Sequence, residues 1–260
     1  MDIAREAIAF LLGFVAALSG AYVFALLQAL SRRPRLARVL EFDRRHDVLI
    51  LYPPRDTNVP EPILPTISIE DFMAIYNIQR LLASAGWDPN RIRMKDMTHW
   101  CDDPRDQQQN LVLLCAPWRN TVTQQAMQGL AHVRERYDIS LDKGPDGLKH
   151  MRFRCGQFFD TTHEQIDALG KEGIPASTGP LDDYALVLTA ARGEWAQHGP
   201  VLVLSGLRGI GTWGAANHLR RHARGLEKRA GSRGFAIALS VRYGRWDIAD
   251  TDELNFVSFE

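Results

Sequence analysis

Apolar residues in this chain come in short unbroken runs, separated by amphipathic or glycine- and proline-rich stretches. Residues 47–52 (DVLILY), 110–116 (NLVLLCA), 183–189 (DYALVLT), 201–206 (VLVLSG) and 235–241 (FAIALSV) are such runs. Apolar side chains on both faces of the pleat mark strands buried on both sides, the pattern of a parallel sheet covered by helices. Between them, Phe72, Ile75, Ile78, Leu81 and Leu82 repeat at helical spacing after a start signal at Ser68 and Asp71, and Gly86 ends the helix. A second helix is expected over about 124–137, a short one over 161–169, and another after the glycines of 206–211. Residues 150–155 alternate and read as an antiparallel edge strand after the turn Gly144-Pro145-Asp146-Gly147, and a last strand is expected over 254–259. Residues 87–109 are polar and irregular and read as decoration of a connection. Together these elements predict an α/β domain over 47–260, a Rossmann-like, mostly parallel sheet with helices on both faces.

The longest apolar run lies ahead of this domain. Residues 7–30 (AIAFLLGFVAALSGAYVFALLQAL) carry no formal charge and are long enough to cross a hydrocarbon core of about 30 Å as one helix. The small residues Ala16, Ala17, Ser19, Gly20 and Ala21 would suit a signal peptidase, but the apolar run continues beyond them and the positive charge follows it. A single-pass anchor over 1–31 is therefore expected, with the lipid bilayer as partner of 7–30. Arg5 precedes it, whereas Arg32, Arg33, Arg35, Arg38, Arg44 and Arg45 follow, so the flank 32–46 reads as a basic juxtamembrane linker and the domain as cytoplasmic. The pairs Gly13/Ala17 and Ala16/Gly20 would permit close helix packing and hence a homo-oligomer at the cell membrane.

Charge and cysteine content narrow the picture. With 31 basic and 31 acidic residues the chain has no global field to attract nucleic acid, and no such partner is expected. The basic run Arg220, Arg221, His222, Arg224, Lys228 and Arg229 falls toward a helix C-terminus, where cations are favourable anyway. Cys101, Cys115 and Cys155 are an odd number without C-x-x-C spacing, which argues against a disulfide framework or a structural zinc site. Cys115, inside an apolar run, reads as a packed thiol. Asp102, Asp103 and Asp106, near His99 and Cys101, read as loop and helix caps, so no metal is expected.

Candidate chemistry gathers where predicted strands end. Ligands of such sheets bind beyond the carboxyl ends of the strands, and three strands here end in arginine-bearing loops: Pro53-Pro54-Arg55, Pro117-Trp118-Arg119 and Gly206-Leu207-Arg208. Gly206, Gly209 and Gly211 let a backbone approach a ligand closely, and the amides opening the next helix suit an anion. Convergent guanidiniums bind phosphates or carboxylates, Trp118 or Tyr52 can stack on a base, and Asn120, Thr121, Thr123 and Thr212 add hydrogen-bonding groups. The expected ligand set is Arg55, Trp118, Arg119, Asn120, Gly206, Arg208, Gly209, Gly211 and Thr212.

The segment Arg208-Gly-Ile-Gly-Thr-Trp-Gly-Ala215 resembles the Gly-Gly-x-Gly-Thr-x-x-Glu motif of lysine-decarboxylase-like phosphoribohydrolases and the wider Rossmann-like SLOG group of nucleotide-sensing domains. Gly209, Gly211 and Thr212 match. The resemblance implies that they hold a nucleotide phosphate; Arg208 replaces the first glycine and Ala215 the glutamate of glycosidic-bond hydrolysis. Membrane-tethered sensing domains of this kind also occur in bacterial conflict systems. The leading expectation is a membrane-anchored cytoplasmic protein that binds a nucleotide or other anionic ligand as a sensor or effector. The alternatives are a hydrolase or transferase acting on a nucleotide- or sugar-phosphate-like substrate, with Asp102, Asp103 or Asp183 as base, and a non-catalytic membrane scaffold.

Overall fold

The computed structural model describes residues 19–20, 22–23, 39–54, 67–100, 103–154, 156–159, 181–191, 193–195, 198–230, 234–243 and 248–259. In chain order the strands are β1 (Val48–Tyr52), β2 (Ile92–Asp96), β3 (Asn110–Leu114), β4 (Ser140–Lys143), β5 (Lys149–Phe153), β6 (Gly156–Phe159), β7 (Leu181–Ala190), β8 (Val201–Gly206), β9 (Phe235–Tyr243) and β10 (Ile248–Ser258). The helices are α1 (Ile69–Ser84), α2 (Thr121–Gly129), α3 (Ala131–Tyr137) and α4 (Gly209–Leu226). Seven strands form one sheet in the order β10-β9-β7-β8-β3-β1-β2, and β4-β5-β6 form a second, three-stranded sheet.

Alternation within the apolar runs builds two cores. Val48, Ile50 and Tyr52 of β1 and Leu202 and Leu204 of β8 join α1 and α4 on one face. Leu49, Leu51, Val201 and Val203 face the other side, where α2, α3 and Leu141, Met151 and Phe153 of the small sheet cover them. Val39, Leu40 and Phe42 are also buried in the first core, and the Asn110 amide donates to the carbonyls of Asp43, His46 and Asp47. The folded unit therefore takes in residues that the sequence assigns to the linker.

Two expectations are corrected. The large sheet is mixed rather than mostly parallel: β2, β1, β3 and β8 run parallel, but β7 is antiparallel to both β8 and β9, and β10 is antiparallel to β9. An unbroken apolar run reports burial on both faces, which a central antiparallel strand shares with a parallel one. The membrane-spanning helix over 7–30 is not supported, because among the described residues no helix is long and apolar enough to cross a membrane. Of that stretch only Ser19, Gly20, Tyr22 and Val23 are described. The linker arginines at 32–38 and the short helix over 161–169 also lie outside the described residues.

Smaller differences have local causes. The helix expected over 124–137 is two, α2 and α3. At the break the Trp195 indole lies so close that a Cβ on Gly129 would sit 2.2 Å from it. The segment read as irregular contains β2, hidden in the sequence because Arg93 and Lys95 are polar strand positions that pair with the buried Asp106 at 3.1 and 2.7 Å. The expected edge strand over 150–155 belongs to the small sheet as β5, not to an edge of the large one.

Candidate functional site

Because β3 and β8 are adjacent and parallel, their carboxyl ends open on the same edge of the sheet. Between them and the start of α1 lies a cleft of about 420 Å³, within the range of small-molecule sites of roughly 300–1,000 Å³. Its walls come from the loop after β3 (Trp118, Arg119), the loop after β8 (Gly206 to Gly209, with Thr212), the first turn of α1 (Ser68 to Asp71) and the small sheet (Lys143, Lys149).

The loop after β8 owes its glycines first to packing. A Cβ on Gly206 would lie 2.3 Å from the Arg208 carbonyl oxygen and 2.4 Å from the Thr212 nitrogen, and one on Gly211 would lie 2.7 Å from an Asp183 oxygen. Only glycine lets β8 turn this tightly into α4. The helix start is also engaged. Asp183, at 0% exposure, accepts from the backbone N–H groups of Arg208 at 3.1 Å, of Gly211 and of Tyr184 at 2.7 Å. A carboxylate there meets the positive end of the helix dipole, so the chain supplies an internal anion at the place where the sequence suggested an external one. The same burial removes Asp183 as a general base, which must reach its proton directly or through one water.

The floor of the cleft is polar but closed. Ser68 caps α1, accepting from the Asp71 nitrogen at 3.1 Å and donating to its carboxyl at 2.8 Å, while the Cys115 thiol donates to the other Asp71 oxygen at 2.8 Å. The Thr212 hydroxyl accepts from Gly206 N at 3.1 Å and also bonds to the Cys115 sulfur. Burial raises the Asp71 pKa, partly offset by the bonds from Cys115 and Ser68. Burial, reinforced by the Asp71 charge, pushes the Cys115 thiol well up. A thiol held protonated is a poor nucleophile, so Cys115 is a packed thiol lying beneath a cleft. Its φ of 76° is unusual for a residue with a side chain and turns the chain from β3 into the Trp118 loop.

The rim is cationic. Arg119 and Arg208 come from the strand-end loops, and the Arg208 guanidinium also donates to the Asp182 carbonyl at 2.6 Å. Lys143 and Lys149 come from the small sheet, where they are directly opposite each other across the β4/β5 ladder. They share a face with buried Leu141, Met151 and Phe153, so the row that packs on the large sheet ends in two ammonium groups at the cleft. Like charges directly opposite in a ladder are destabilising.

Of the residues expected from the sequence, the structure brings Trp118, Arg119, Gly206, Arg208, Gly209 and Thr212 to one cleft. Gly211 lies behind the wall, against Asp183. Asn120 is a buried helix cap, accepting from Val122 and Thr123 and donating to the Leu114 carbonyl. Arg55 and Asp102 lie outside the described residues. Asp103 is paired with Arg105 at 2.8 Å, which holds its carboxyl down to about 2, and it is not part of the cleft. Ala215, where the resembled motif carries glutamate, points into the first core rather than the cleft. Ser68, Glu70, Asp71, Lys143 and Lys149 were missed. The lysine pair was within reach of the sequence, since the tight turn between them puts the residues flanking it opposite each other. No family model matches the chain, nor does any curated protein or solved structure.

Proposed function

We propose that this protein binds a small anionic ligand, a nucleotide or related phosphate compound, in the cleft at the carboxyl ends of β3 and β8. The observation that carries this reading is the meeting of four cationic side chains, Arg119, Arg208, Lys143 and Lys149, from three separate parts of the chain, in a protein whose charges sum to zero. A local concentration of basic side chains of this kind attracts anions. Arginine forks suit phosphate and carboxylate oxygens, and lysines add point charge. Trp118, partly packed on the second core, also lines the cleft, and an indole there is the group that would contact a base. Binding without turnover is the better-supported reading, because Asp183 is sealed and Cys115 is held as a thiol.

The test is thermal denaturation of the intact chain at low salt with pyrophosphate or AMP. Ligand at 100 times its Kd stabilises by about 2.7 kcal/mol, which in a domain of this size raises Tm by roughly 5–10 °C. The rise should shrink with added salt and in Arg119→Ala. No rise with either compound would refute the proposal.

A further inference from the structure

The cleft is not uniformly basic. Glu70, in the first turn of α1, lines the same cleft as the cations, half-buried, and its side chain makes no hydrogen bond or ion pair among the described residues. Its stem lies along the β8–α4 loop: a Cβ on Gly209 would be only 3.0 Å from the Glu70 Cβ. Its place in the first turn of α1 favours any acid there through the helix dipole. That does not explain a carboxylate lining a cavity of cations without pairing with one.

In a site for a bare inorganic anion, Glu70 would repel the ligand. A carboxylate accepts hydrogen bonds only, so a ligand that uses it must bring donors. Resting on the anion-binding reading above, we infer that the ligand is a hydroxylated phosphate, a sugar phosphate or a nucleoside phosphate, whose phosphate lies at the Lys143–Lys149 wall and whose hydroxyls donate to Glu70. The two kinds of charge divide the work. Lys143, whose side chain makes no hydrogen bond or ion pair among the described residues, supplies affinity for any phosphate. Glu70 selects those that carry hydroxyls, because an unmatched carboxylate is left without its water when any other ligand fills the cleft.

The experiment is calorimetric titration of the intact chain, at one low ionic strength, with inorganic phosphate, ribose 5-phosphate and AMP. The wild type should bind ribose 5-phosphate or AMP at least about tenfold more tightly than phosphate, the scale of a hydrogen bond to a charged group. Whichever of the two binds tighter shows whether the base takes part. In Glu70→Ala that preference should collapse, while inorganic phosphate binds as well as before or better. Glu70→Gln, which keeps an accepting oxygen, should fall between. Lys143→Ala should weaken all three probes by similar factors. Unchanged urea midpoints for the variants exclude a folding defect. Phosphate binding as tightly as ribose 5-phosphate, or a preference that survives Glu70→Ala, would overturn the inference and leave anion binding standing. No binding of any probe would overturn both.

Discussion

Asp183→Asn tests whether an internal carboxylate closes the start of α4. In the wild type one Asp183 oxygen takes the N–H groups of Arg208 and Gly211, and the other takes that of Tyr184. Hydrogen bonds to a charged group contribute about 1.5–3 kcal/mol, and a buried donor left without an acceptor costs about 1–3 kcal/mol. The charge on the helix start adds up to about 2 kcal/mol in a partly buried geometry. Asparagine keeps one accepting oxygen but turns an NH2 group toward a backbone donor, so at least one N–H loses its partner. These contributions overlap and do not add fully; the net expectation is a loss of roughly 2–4 kcal/mol. That is a large part of the 5–15 kcal/mol typical of a domain. With a urea m-value of about 2–3 kcal/mol/M, the unfolding midpoint of the intact chain should fall by roughly 1 M. Asp182→Asn is the control. Among the described residues its exposed carboxylate meets only Arg242, at 3.3 Å, and an exposed pair is worth about 0–1 kcal/mol. Equal midpoints for Asp183→Asn and the wild type would refute the capping role.

Three further outcomes follow from other contacts. Gly214→Ala places a Cβ 2.3 Å from a Val241 methyl, so despite alanine's higher helix propensity it should destabilise by about 1–3 kcal/mol in urea unfolding. His218 is held down to about 4 by burial and by neighbouring His222; in the unfolded chain it takes up its proton near pH 6.5. The unfolded state therefore binds more protons between those values, and stability should be full above pH 6.5 and fall toward pH 4 by up to roughly 3 kcal/mol. His218→Leu should flatten that part of the urea midpoint against pH. The Cys115 thiol, 7% exposed and with its pKa pushed up, should react with iodoacetamide at pH 7.5 far more slowly in the native than in the urea-unfolded chain, as read by mass spectrometry of its peptide.

Much of the central sheet was legible because burial on both faces writes itself into the sequence as unbroken apolar runs. Strand direction was not, since β7 and β8 carry the same signal while running oppositely. A separate clue was available: residues 191–200 leave little room for the crossover of a dozen or more residues that parallel neighbours need. The strand-end rule found one rim of the cleft, because Arg119 and Arg208 follow apolar runs directly. It misread the role of Asn120, whose side chain is spent on capping α2, and it could not foresee Asp183 inside the glycine loop, since that contact joins segments 28 residues apart. Lys143 and Lys149 could be read as neighbours across their turn, but their place at the cleft, like that of Glu70, could not be read, for a related reason. They reach the cleft only through packing of the small sheet and α1 on opposite sides of the main one.

The most direct test of the anion-binding account is a crystal structure of the intact chain grown with ribose 5-phosphate. The account predicts the phosphate within hydrogen-bond reach of Arg119 or Lys143 in the cleft beyond β3 and β8. A phosphate seated instead in the groove between α1 and α4, beside Arg220, Arg221 and Arg224, with the cleft holding none, would contradict it.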